Sequence, residues 1–188
     1  MRHPMLTLTV LAATLTLHAQ SIDTTPKGWF LAGSKPQDYH TGVETPGTAF
    51  LASKPGITSK GFGTLMQSIK ADNYAGKRIR FSASVRSENV ASWAGLWMRI
   101  DKGTQAIVLD NMQSRAIKGT TGWQTYEVVL DVPADATGIA FGTLIDSAGE
   151  VWLSHVTLEA VSTSVPTTAA PWATDHVPAT PVNLDFQQ

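Results

Sequence analysis

The chain has 188 residues, room for one domain and short for two. Its 14 Lys and Arg against 15 Asp and Glu leave a formal charge of −1, which excludes a broad electrostatic footprint for nucleic acid or an anionic membrane. There is no cysteine, which excludes disulfides, thiolate catalysis, iron–sulfur ligation and cysteine-rich zinc sites together.

In chain order, residues 1–20 carry the pattern of an export signal. Arg2 supplies the positive start, residues 5–17 form an apolar and threonine run, and Ala19 is a small residue suited to cleavage. A buried helix or a membrane anchor is the alternative, but the run is too short to cross a bilayer and Thr7, Thr9, Thr14 and Thr16 weaken it further. Cleavage after Ala19 or Gln20 is expected, with the mature chain secreted or periplasmic and out of contact with the membrane. With no cysteine following the run, a lipid anchor is excluded.

Between Gly28 and Glu159 the apolar period is two. Ile79, Phe81, Ala83 and Val85 alternate with Arg78, Arg80, Ser82 and Ser84, and Ala94, Leu96, Met98 and Ile100 alternate with Trp93, Gly95, Trp97 and Arg99. The same alternation runs through Tyr126, Val128 and Leu130, and through Val151 and Leu153. Further strands are expected over 29–32, 48–52, 62–69, 104–110 and 139–145, with turn signals at 54–56, 101–103, 133–137 and 146–149. Residues 71–76 could form one helical turn, and 111–122 reads as the longest loop. No crossover helix is visible, so residues 21–160 are expected to form an all-β, antiparallel two-sheet sandwich or a barrel. Beyond them, Pro166, Pro171, Pro178 and Pro181 among Thr, Ala and Ser mark 161–181 as a linker, and 182–188 alternates like a short strand that could dock back on the domain.

The motifs of common catalysis are missing: there is no G-x-S-x-G elbow, no H-E-x-x-H and no EF-hand loop. His40, His155 and His176 are too scattered for a metal site. Glu44, Asp101, Asp110, Glu127 and Glu150 show no spacing that would pair two of them for glycoside hydrolysis. One strand is unusual. If Leu96, Met98 and Ile100 enter the core, its other face carries Trp93, Trp97, Arg99 and Asp101, rings beside charged groups. That mixture suits a saccharide, which offers apolar C–H faces and hydroxyls together. Asn111 and Arg115, on the loop that also holds Gln113 and Lys118, are expected at its margin, with Arg78, Arg80 and Arg86 on a neighbouring strand. Alternatively a loop or the C-terminal tail covers the rings as a second small core.

Four stretches carry a family resemblance: residues 28–39 (Gly28-Trp29-Phe30 to Asp38-Tyr39), 61–67, Trp93-Ala94-Gly95-Leu96-Trp97-Met98-Arg99 and Asp110-Asn111-Met112-Gln113. Over residues 28–159 the chain resembles a bacterial jelly-roll domain similar to the galactose-binding-like sandwiches, which occurs in secreted proteins and in chains labelled AraC-type transcriptional regulators. The resemblance implies a two-sheet jelly roll. The regulator label would imply a helix-turn-helix, for which the sequence shows no helix pair. Many carbohydrate-binding jelly rolls open with Asn-x-x-Phe-Glu and close with Asp-Asp around a structural calcium. Here the opening pattern stands at Asn183–Gln187, with Gln187 in place of the acid, and Ser154 and His155 stand in place of the aspartates, so that site is expected to be lost. The expectation is an exported, non-catalytic module for a carbohydrate or similar polyhydroxylated ligand, with no cofactor, no metal and no nucleic-acid partner. A structural or protein-interaction domain and an enzyme with an unrecognised carboxylate pair are the alternatives.

Overall fold

The computed structural model describes residues 24–58 and 60–169. The expected signal, most of the linker and the strand pattern of 182–188 lie outside these residues. Among the described residues nine strands run in chain order: β1 (Phe30–Gly33), β2 (Tyr39–Thr45), β3 (Thr48–Ser53), β4 (Phe62–Lys70), β5 (Arg78–Lys102), β6 (Gln105–Asp110), β7 (Ile117–Asp131), β8 (Gly138–Asp146) and β9 (Glu150–Val161). Every pairing between them is antiparallel. Among the described residues the helices are two three-residue 3-10 turns, Pro36–Asp38 and Gln113–Arg115, so these residues hold no helix-turn-helix.

The two alternating runs expected as separate strands are one strand of 25 residues, β5. Its first half pairs with β7 and β9, and its second half with β6 and β8. β5 is therefore shared by both layers of a jelly-roll sandwich, β7-β5-β9-β3-β2 on one side and β6-β5-β8-β4-β1 on the other. The buried parity of β5 changes on the way. Ile79, Phe81, Ala83 and Val85 are buried in the first half, and Val90, Ala94, Leu96, Met98 and Ile100 in the second. The switch falls at the register shifts between Ser87, Val90 and Ala94, where Asn89 takes a left-handed conformation with φ of 51°. Gly149 sits against this bend at φ of 143°, and a Cβ there would come within 2.7 Å of the Val90 Cα.

Between the layers lies one main core, with Phe81, Leu51, Leu65, Leu130, Ile139, Ile145 and Leu153 fully buried. Each such side chain stabilises by about 1.5–3 kcal/mol, which holds the sandwich without disulfides.

The sequence-based elements differ from the structure in two places besides β5. The expected loop over 111–122 is confined to residues 111–116, because β7 already starts at Ile117 and pairs across β5 at Ala94, Val90 and Ser87. Those pairings are irregular, so the polar run 118–122 lacks clean alternation although it lies in a strand. The sequence reading also missed β2, whose buried positions include Tyr39 and Thr41 and whose composition is largely polar.

The first residues of the expected linker are not free of the domain. Arg78 Nη1 donates to the carbonyls of Thr163 (2.7 Å) and Val165 (2.6 Å). Thr168 N donates to the Val129 carbonyl at 2.9 Å, and Val129 N donates to Thr168 Oγ1 at 2.8 Å. The chain thus runs back beside β7, and Ala169 packs on the core.

Candidate functional site

The outer face of the β6-β5-β8-β4-β1 layer is a hollow built from aligned rows. Register places Phe62, Asp146 and Trp93 side by side across β4, β8 and β5; beyond the row of Thr64, Leu144 and Gly95 comes a middle row of Met66, Gly142 and Trp97, and Ala140 then stands beside Arg99. Direct cross-strand partners share a face, with Cβ atoms about 4.5–5.5 Å apart. At the centre of the middle row stands a glycine, where a Cβ would run into the Leu65 carbonyl and the Met66 backbone. The floor is therefore bare at that point, with larger side chains on either side.

Among the described residues these enclose an open cleft of about 520 Å³, lined chiefly by Phe62, Met66, Trp93, Trp97 and Leu144, with Arg99, Asn111, Asp146 and Thr64 as its polar groups. The volume lies in the range of small-molecule sites. Met66, Trp97, Ala140 and Leu144 form their own apolar cluster here, separate from the core between the layers, with Ala32, Trp93 and Leu109 packed against it.

The two indoles differ in role. Trp97 is 7% exposed and serves as floor. Its Nε1 donates to Thr64 Oγ1 at 2.8 Å, and that hydroxyl donates to the Thr143 carbonyl at 2.7 Å. Trp93 is half-buried and stands at the wall beside Phe62, which is 37% exposed. Neither indole lies between the two layers.

Among the polar groups, Arg99 is held in a two-pronged pair with Asp101, Nε to Oδ1 at 2.8 Å and Nη2 to Oδ2 at 3.0 Å, which leaves its Nη1 without a bond among the described residues. Asn111 Oδ1 accepts the Gln113 N–H at 3.1 Å, and its amide NH₂ has no partner among the described residues. Asp146 accepts from Ser92 Oγ at 2.7 Å through one oxygen only. Behind it, burial, and next the Asp146 charge, push the Tyr39 phenol above its ordinary range; that hydroxyl donates to the carbonyls of Ser147 and Gly61.

Of the six residues expected to form the site, Trp93, Trp97, Arg99 and Asn111 line this cleft. Asp101 does not line it; spaced two residues from Arg99 on one strand face, it fixes the guanidinium instead. Arg115 is elsewhere. Its Nη1 and Nη2 donate to the buried Asp110 carboxylate at 3.1 and 2.6 Å, Thr168 Oγ1 donates to that carboxylate at 2.6 Å, and the cluster ties the 111–116 segment to the returning chain. Arg78, Arg80 and Arg86 are also distant, because the half of β5 that bears them belongs to the opposite layer. There Arg86 lies 3.7 Å from the Trp152 ring centroid and 5.5 Å from that of Trp123, with Nη2 donating to Glu44 at 2.7 Å.

The sequence reading missed Asp146, Phe62, Thr64, Met66 and Leu144. Phe62, Thr64 and Met66 carried a usable signal, a second apolar parity on β4 left over once Leu65 is assigned to the core. Asp146 read only as a turn residue. Among the described residues the cleft lining holds one carboxylate, Asp146, so it presents no acid–base pair of the kind glycoside hydrolysis uses.

No family model matches the chain. It is 38% identical over 169 residues to an uncharacterized HTH-type transcriptional regulator, YbfP, of Bacillus subtilis (strain 168); the match covers 86% of this chain and 57% of that protein, so the chain spans little more than half of its relative. Among solved structures it is similar to a carbohydrate-binding module, CBM4 (17% identity, 74% of this chain and 93% of that one, TM-score 0.50). It is also similar to a Stig cyclase, FisC, from Fischerella sp. TAU (14% identity, 78% and 91%, TM-score 0.51). At these identities the likenesses are of fold, and they agree on the jelly-roll sandwich.

Proposed function

We propose that the sandwich is a non-catalytic binding module of the galactose-binding-like kind, holding a saccharide or similar polyhydroxylated ligand in the cleft beside Trp93. The observation that carries this reading is the open hollow itself: an apolar floor of Trp97, Met66 and Leu144, with unoccupied donors on Arg99 and Asn111 and an acceptor on Asp146 at its edges. An apolar floor favours the C–H face of a sugar ring, and fixed polar groups at the rim favour its hydroxyls. The carbohydrate-binding module of similar fold supports the same reading. We further propose that the chain is exported, on the charged and apolar pattern of residues 1–20; N-terminal sequencing of exported protein that starts at Met1 would overturn this.

The test is titration of the protein with a panel of oligosaccharides, neutral and charged, followed by calorimetry, for the native chain and Trp93→Ala. A half-buried ring that walls the ligand is expected to contribute about 2 kcal/mol, so affinity falls about 30-fold while the melting curve stays cooperative. Equal affinity in the two proteins, or no binding to any member of the panel, refutes the proposal.

A further inference from the structure

At one end of the cleft a carboxylate stands between two aromatic side chains. Phe62, Asp146 and Trp93 are direct register partners on three adjacent strands, their side chains share one face, and all three line the hollow. Asp146 forms no ion pair among the described residues; its one bond is from Ser92 Oγ. The cleft's other charge cannot serve it. Arg99 lies six residues along β5 from Trp93, about 20 Å at the rise of a strand, and its guanidinium is already held by Asp101. Phe62 is 37% exposed, so its ring is open to an occupant.

A carboxylate attracts positive charge through its full negative charge, and aromatic rings do so through their quadrupoles. Gathered around one point, they share a single complement. We infer that this end of the cleft receives a cation, the ammonium group of an amino sugar with a free amine. The inference rests on the saccharide reading above and names the class within it: a sugar ring lies over the Trp97 floor, its protonated amine between Phe62 and Trp93 against Asp146.

The probes are a glucosamine oligosaccharide and its fully N-acetylated counterpart, which differ in charge at the same positions. Binding is measured at about pH 5, where the sugar amines are protonated. The free-amine form is expected to bind about tenfold tighter, a difference of about 1.4 kcal/mol. Asp146→Asn should remove most of the tenfold ratio, whatever it does to each affinity, and Phe62→Leu should lower the ratio by a smaller factor. A ratio near one in the native protein, or a ratio that survives Asp146→Asn, overturns the inference. If the N-acetylated oligomer or other neutral saccharides bind and only the preference is missing, the saccharide reading stands and this one alone falls. If no saccharide of either kind binds, both fall.

Discussion

The division of labour between the two indoles can be tested through a single buried hydrogen bond. Trp97 Nε1 donates to Thr64 Oγ1 at 2.8 Å, and the two residues are 7% and 2% exposed, so water cannot replace either partner. Thr64→Val keeps the shape of the side chain but strands the indole N–H, a loss of about 1–3 kcal/mol. At about 3 °C per kcal/mol for a chain of this size, the melting temperature should fall by about 3–9 °C. Trp97→Phe removes the donor and leaves a smaller ring, at about 1–2 kcal/mol. In the double variant no N–H remains to be stranded, so most of the Thr64→Val loss should vanish, giving a coupling energy of about 1–2 kcal/mol. Denaturant unfolding of the four proteins measures it. Additivity within about 0.3 kcal/mol would show that the indole N–H is solvated, and Trp97 would then be no floor.

Two further substitutions probe the frame around the cleft. Arg115→Ala leaves the buried Asp110 carboxylate without its cationic partner and should destabilise by about 2–4 kcal/mol in a thermal or urea melt; a loss below about 1 kcal/mol would mean that the cluster does not hold the returning chain. Glu150→Gln should act in the other direction. Burial, and next its cross-strand neighbour Glu88, raise the Glu150 pKa above the ordinary 4.5, so the folded state holds this proton more tightly than the unfolded chain and ionisation costs stability. The substitution should therefore stabilise at pH 7 by a few tenths of a kcal/mol and give no gain at about pH 3.5, where both states are protonated. Melts across this range that show an equal effect at both ends would refute the assignment.

Sheet content and core were legible because alternation is a local property: Ile79, Phe81 and Val85, then Leu96, Met98 and Ile100, each announce which face goes inward. What lies between the two runs was not legible. Sequence shows two parities and a gap. Only the structure shows that Asn89 bends one continuous strand from layer to layer, and so sends Arg86 and Trp93 to opposite sides of the sandwich. The site was half legible for the same reason. Trp93, Trp97 and Arg99 stand at alternate positions of one strand face, whereas Phe62 and Asp146 reach the same hollow through pairings 84 and 53 residues apart in the chain, which no local pattern encodes. Arg115 is expected at the margin because a polar loop suggests an outer rim, and nothing local in the sequence shows that Asp110, five residues away, is buried and draws the guanidinium to itself.

The two outer faces of the sandwich carry the same chemistry in different states of completion. On the β2 side the chain supplies the cation itself: Arg86 stacks on Trp152, approaches Trp123 and pairs with Glu44. Rings and carboxylate there have a partner in the fold, and Trp152 is 6% exposed beneath the guanidinium. On the cleft side the rings are Phe62 and Trp93 and the carboxylate is Asp146, and the one guanidinium of the cleft lining, Arg99, stands at the far end of the hollow, held by Asp101. A face meant only to be covered would gain by closing its own charge, as the first face does. Asp146 has a single hydroxyl donor among the described residues and stands between two rings, so the ammonium inferred above would complete this face as Arg86 completes the other.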